Sequence, residues 1–144
     1  MKRILGLTLL VAMVLTVSLG STLAQRPWYR GDVRQIIRNL ETDTDTFKSS
    51  LDHALDRSPL DGTKAEDEIN EYVKQFEHAT DKLKDRAEDQ KHSPYLAREV
   101  LVRGRSINGF MRRHRLGSDA ENDWVRVRND LTQLANSYYI NWRW

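Results

Sequence analysis

Four times along this chain, apolar side chains recur at alternating steps of three and four residues, and a turn closes each run. That spacing follows the 3.6-residue turn of an α-helix and gathers each run onto one face. The first face is Val33, Ile37, Leu40, Thr44, Phe47, Leu51 and Ala54, polar only at Thr44, and Ser58-Pro59 and Asp61-Gly62 end it. The second carries Ala65, Ile69, Tyr72, Phe76, Ala79, Leu83 and Ala87 and stops before His92-Ser93-Pro94. The third runs through Ala97, Leu101, Gly104, Ile107 and Met111, with Val100 and Phe110 beside it, and Leu116-Gly117 closes it. The fourth is the cleanest: Ala120, Trp124, Val127, Leu131, Leu134 and Tyr138. No strand pattern competes with these four helices.

Helices joined by loops of a few residues must reverse at each loop, so the pattern predicts an all-α, up-down-up-down antiparallel four-helix bundle. The expected helices lie near 32–57, 64–91, 94–115 and 119–139, the first two longer than the second pair. Their starts carry capping signals. Thr63-Lys64-Ala65-Glu66 and Ser118-Asp119-Ala120-Glu121 have the spacing of a capping box, and Ser93 precedes a proline at the first helical position. Gly104 and Gly109 each weaken the third helix by about 1 kcal/mol relative to alanine. Close packing against a neighbouring helix is the reason expected for Gly104. The aromatic flanks Trp28-Tyr29 and 138–144 are expected to cover the end where the longer helices project.

Ahead of the bundle, Met1-Lys2-Arg3 is a short positive segment, Ile4 to Leu19 is apolar to weakly polar, and Thr22-Leu23-Ala24 offers the small residues a signal peptidase reads. Residues 1–24 are thus expected to be a cleaved signal peptide and 25–144 an exported domain, periplasmic or secreted. The apolar stretch is shorter than the roughly 20 residues a spanning helix needs, and the mature segment holds no second one. Without cysteine the chain has no disulfide, thiolate zinc site, c-type haem attachment or lipidated residue.

A four-helix bundle invites cofactors, and the residues argue against each. A di-iron site needs Glu-x-x-His on two helices. The residues three before His53, His78, His92 and His114 are Ser50, Gln75, Asp89 and Met111. A b-type haem needs inward His or Met ligands, and Met111 is the only methionine after residue 24. His53, His114 and Met111 could approach one end, but His53 points away from its stripe and His114 lies among arginines. Asp43-Thr44-Asp45 begins like a calcium loop and lacks its glycine and distal glutamate, so it reads as a solvated helix face. No serine stands in a Gly-x-Ser-x-Gly turn. The expectation is a protein with no catalytic residues, cofactor or metal.

Charge divides the chain. Residues 25–93 carry a net −4 and residues 94–144 a net +4, so the segment after the signal is neutral overall, and nucleic acid is a poor partner for it. After Lys91 every cationic residue other than histidine is arginine, and Arg98, Arg105 and Arg112 recur every seven residues, widened by Arg103, Arg113 and Arg115. Two roles remain open for this stripe. It can face helix-two acids such as Asp81, Asp85 and Glu88 and guide helix pairing, the reading that charge patterning favours, or present guanidinium groups to an anionic envelope component or protein. The segment Trp124 to Tyr138, W-x-x-V-R-x-D-L-x-x-L-A-x-x-Y, followed by Trp142 and Trp144, resembles the ending of small exported bacterial helical proteins. The resemblance implies an exported helical domain and brings no activity or ligand with it. Trp124, Tyr138, Trp142 and Trp144 are expected in packing or contact roles, with Arg98, Arg105, Arg112, Arg113 and Arg115 as the interaction face. The function expected is a non-enzymatic interaction or envelope-associated role. The alternatives are a small-ligand or haem carrier using the bundle interior and an exported chaperone-like protein.

Overall fold

The computed structural model describes residues 28–144, with side chains from Val33 onward. The expected signal peptide and its cleavage site lie outside the described residues, as do the side chains of Trp28 and Tyr29. Four helices follow in order: α1 Trp28–Leu55, α2 Lys64–Glu88, α3 Pro94–Arg113 and α4 Ser118–Ser137, with no strand among the described residues. α1 and α3 each pack on α2 and α4, while the backbones of the diagonal pairs do not approach closely. The α1/α2 face therefore lies across the bundle from the α3/α4 face. Cross-helix partners run in opposite sequence order: Glu41 meets Lys84 at 2.9 Å, and Lys48 meets Glu77 at 2.8 Å. No helix among the described residues is long and apolar enough to cross a membrane.

The core is built largely from the four stripes, with one departure in α2, where Val73 is buried and the expected Ala65 and Tyr72 are only half-buried. Phe47, Phe76 and Phe110 are its largest fully buried side chains, joined by Leu40, Leu51, Leu83, Leu101, Ile107 and Leu131. Leu55 takes the innermost place at the end of α1, leaving Ala54 half-buried. Thr44 is buried as the stripe requires, and it stays satisfied by donating its hydroxyl to the Leu40 carbonyl at 2.6 Å. Thr80 does the same to Phe76 at 3.0 Å. These two threonines floor an acidic groove of about 280 Å³ between α1 and α2, walled by Glu41, Asp45, Glu77 and Asp81. The hydrogen bond from Lys48 to Glu77, ahead of the opposing effect of burial, raises the lysine pKa, and the Lys84 bond to Glu41 does likewise.

The caps depart in part from their sequence signals. Ser93 accepts from the Leu96 amide at 3.5 Å with Pro94 opening α3, as its sequence predicts. Thr63 precedes α2 but turns its hydroxyl back to the Leu60 carbonyl, and Glu66 accepts from the Gly62 amide instead of the Thr63 amide. The α1–α2 turn thus captures both halves of the box. At α4 the cap is Gly117, at φ +95°, and Ser118 is already helical, its hydroxyl turned to Asp119. Only a residue without Cβ takes that backbone readily, which fixes the tight reversal from α3.

Candidate functional site

Where α4 ends, the chain doubles back. Tyr139 adopts φ +55° while its amide reaches Asn136 at 3.1 Å and the Ile140 amide reaches Ala135 at 2.8 Å. This is a Schellman closure with tyrosine at the left-handed position where glycine is commonest. Beyond it the burial alternates: Ile140 is buried, Trp142 and Trp144 are half-buried, and Asn141 and Arg143 are exposed. One edge of this strap enters the seam between α3 and α4, the sparsest helix contact of the bundle. Trp144 Nε1 donates to Thr132 Oγ1 at 3.1 Å, and its ring stands edge-on to Trp142 at 5.7 Å and Trp124 at 6.4 Å. The Arg105 guanidinium lies 4.1 Å above the Trp142 ring and donates to the Arg143 carbonyl at 2.9 Å. Gly104 makes room for this packing. A Cβ there would stand 2.7 Å from Leu131 Cδ1 and 3.7 Å from the Trp144 ring. Of the described tail aromatics, Tyr138 is buried at the bundle end, stacked on His92 at 4.8 Å, whereas Trp142 and Trp144 fold back along the flank and do not cover that end.

The arginines of α3 divide between its two flanks. Arg103 and Arg113 face α2, where Arg103 donates to Gln75 at 2.6 Å and Arg113 lies 3.8 Å from Glu68. Arg105 and Arg112 lie on the other flank, toward α4, and Arg98 falls at the same heptad position. None of the three meets Asp81, Asp85 or Glu88, so the pairing with helix two favoured by charge patterning is not made by this stripe. Arg105 is taken by the strap, while Arg98 and Arg112 are exposed and have no ion pair or hydrogen bond among the described residues. Arg115, in the α3–α4 turn, approaches Glu121 at 3.5 Å. Arg128 of α4 joins them with its guanidinium 5.2 Å over Trp144 and a buried Nε that has no partner. Trp124 packs on Phe47 at 5.1 Å and donates its indole N–H to the buried Asn108 side-chain oxygen at 3.1 Å. The face thus combines positioned guanidinium donors with an aromatic base.

A second cluster lies between α1 and α4, where the sequence suggested only solvent. Asp43 is half-buried against α4 instead of lying on a solvated face. It lies beside Asp130, which is only 6% exposed, accepts from Gln133 Nε2 at 3.4 Å on Oδ1, and has no hydrogen-bond partner for Oδ2 among the described residues. Burial first, then the hydrogen bond to Asp43 and the charge of that carboxylate, push the Asp130 pKa up from 3.8 to about 6. The nearby cation, Arg126, is 3.9 Å from Asp43 and already bound to Asp123. The packing of α1 on α4 brings the two carboxylates together.

Other polar groups gather at the end of the bundle where α1 meets α4. A cleft of about 660 Å³ there is lined by His53, Arg57, Arg115, Asp119 and Asp123 among serines and threonines. His114 instead packs at a tilt against Phe110, ring centroids 4.4 Å apart, and Met111 lines a cavity on the α3/α4 side, so the three residues do not share one cavity. In the α1–α2 turn, Asp56, Asp61 and Glu66 bring one oxygen each within 4.8 Å of one another. No family model, curated protein or solved structure matches the chain.

Proposed function

We propose that the chain is an exported, non-enzymatic, antiparallel up-down-up-down helical-bundle protein that associates with an anionic component of the cell envelope through the α4-side arginine flank of α3. The opposed order of cross-helix partners supports the topology: 41 with 84 and 48 with 77 between α1 and α2, 68 with 113 and 75 with 103 between α2 and α3. The export signature of residues 1–24 supports a periplasmic or secreted location. A binding role is favoured because the groups gathered on this face are guanidiniums, which keep their proton at any physiological pH and suit recognition of carboxylate or phosphate better than proton transfer. One observation carries the reading. Arg98 and Arg112 stand exposed and uncommitted on the flank where Arg105 is locked to the strap.

Co-sedimentation of the purified mature protein with an envelope fraction at low and high salt tests this. Arg98→Gln/Arg112→Gln, which spares the strap-bound Arg105, is expected to abolish a salt-sensitive association and to leave the melt within about 0.5 kcal/mol of wild type. Lysine at both positions restores it only in part, since an ammonium lacks the bidentate fork. Unchanged co-sedimentation of the glutamine variant at low salt refutes the reading.

A further inference from the structure

The α3/α4 groove continues past the strap. Next to Trp124 it opens into a cavity of about 300 Å³, at the small end of pockets that hold ligands. Its polar lining is nearly all donors: Arg112 without a partner, Arg115 near the limit of its contact with Glu121, and Arg128 with its buried, unpaired Nε. Asn108 completes the set. It is only 6% exposed, its side-chain oxygen is taken by the Trp124 indole, and its amide nitrogen makes no hydrogen bond among the described residues, so what it can offer the cavity is N–H. Three guanidiniums against one carboxylate leave an uncompensated positive charge. Met111, Trp124 and Val125 supply an apolar wall that hydrated inorganic anions would leave unused.

We infer that this cavity binds a small amphipathic anion, a carboxylate on a short apolar body, with the headgroup on Arg112, Arg128 and the Asn108 amide and the apolar part along Met111 and Val125. Planar guanidinium forks match the two oxygens of a carboxylate. The indole of Trp144, itself held by Thr132, keeps the Arg128 guanidinium in place before a ligand arrives, which lowers the ordering cost of binding. This goes beyond association with the envelope, because a free small molecule would satisfy the site whether or not the exposed flank meets a surface.

Calorimetric titration of the mature protein with octanoate tests the inference, with octanol, inorganic phosphate and anionic phospholipid vesicles as comparison arms. One octanoate is expected per chain with Kd of about 1 mM or tighter, and no saturable binding of octanol or of phosphate over the same range. Arg112→Gln is expected to weaken octanoate about tenfold, the loss of one charge-assisted hydrogen bond at an exposed residue the fold does not need. Asn108→Asp keeps an acceptor for the Trp124 indole, replaces the donor by a negative group, and should abolish binding while the far-UV spectrum stays helical. Arg98, outside the cavity, separates the two readings: Arg98→Gln should leave octanoate affinity unchanged while weakening co-sedimentation with the envelope. Octanol binding as well as octanoate, phosphate binding as well as octanoate, binding to vesicles without binding to octanoate, or an Arg112→Gln variant of undiminished affinity each overturns the assignment.

Discussion

Replacing Asp130 with asparagine should stabilise the protein at neutral pH, although the residue is buried and stands in the tightest helix seam. In the fold its carboxyl titrates near 6, against 3.8 for the ordinary group. A folded-state pKa above the unfolded one means that the native state holds the proton more tightly. Its stabilising contribution is complete below about 3.8 and is lost as pH rises through the window from 3.8 to about 6. Two pKa units correspond to about 3 kcal/mol, the order of the cost of ionising Asp130 in the fold at pH 7.5. Asparagine has the same shape, carries no charge and can donate to Asp43, so it should recover much of that figure. For a domain of this size each kcal/mol moves the melting temperature by about 4 °C, giving a gain of about 10 °C at pH 7.5 that shrinks toward zero at pH 4. Thermal melts of both proteins by circular dichroism from pH 4 to 8 read the difference directly, since other carboxylates shift both curves alike. The Asp43 carboxylate is one of the causes of the Asp130 shift, behind burial, so Asp43→Asn should show the same trend with smaller amplitude. A gap between wild type and Asp130→Asn that does not change with pH, or a variant less stable at pH 7.5, would refute the reasoning.

Leu131→Ala should cost about 2–5 kcal/mol in chemical denaturation, because the side chain is fully buried against α3. Gly104→Ala should destabilise by about 1–2 kcal/mol despite alanine's better helix propensity, since the new methyl meets Leu131 Cδ1. In the Leu131→Ala background the same change should be nearly neutral, and a cycle showing simple additivity would remove Leu131 as the obstacle. Intact-mass measurement of the exported protein should give a chain beginning at Gln25; a product still carrying Met1 rules out cleavage.

How much of this was legible in the sequence differs between core and site. The four stripes translate almost residue for residue into the core, because burial on a helix depends on a period that the sequence carries openly. The side of α3 on which Arg98, Arg105 and Arg112 fall does not follow from a seven-residue repeat. Such a repeat fixes one flank of the helix, but whether α2 or α4 lies against that flank depends on the handedness with which the four helices are arranged. The strap did leave a signal. Tyr138, Ile140, Trp142 and Trp144 alternate with the exposed Tyr139, Asn141 and Arg143, a period of two that marks an extended chain with one buried edge. The carboxyl pair left a fainter one, since Asp43 and Asp130 each directly precede an inner residue, Thr44 and Leu131, and so stand at the rim of two stripes. Only the packing of α1 on α4 turns two rim positions into one site.

Glu41 and Glu77 of the acidic groove are paired with Lys84 and Lys48, but Asp45 and Asp81 have no ion pair among the described residues, and the groove lies across the bundle from the seam that holds Arg112 and Arg128, so opposite flanks carry opposite charge. In a negative field such a body has a preferred orientation before it makes any contact, with α3 and α4 leading. Once docked by its guanidiniums it would turn the carboxylate groove outward, about two helix diameters or roughly 20 Å from the surface beneath. A layer of these bundles would therefore not neutralise the surface it covers. It would lift the plane of negative charge outward and offer the same kind of landing ground to the next copy.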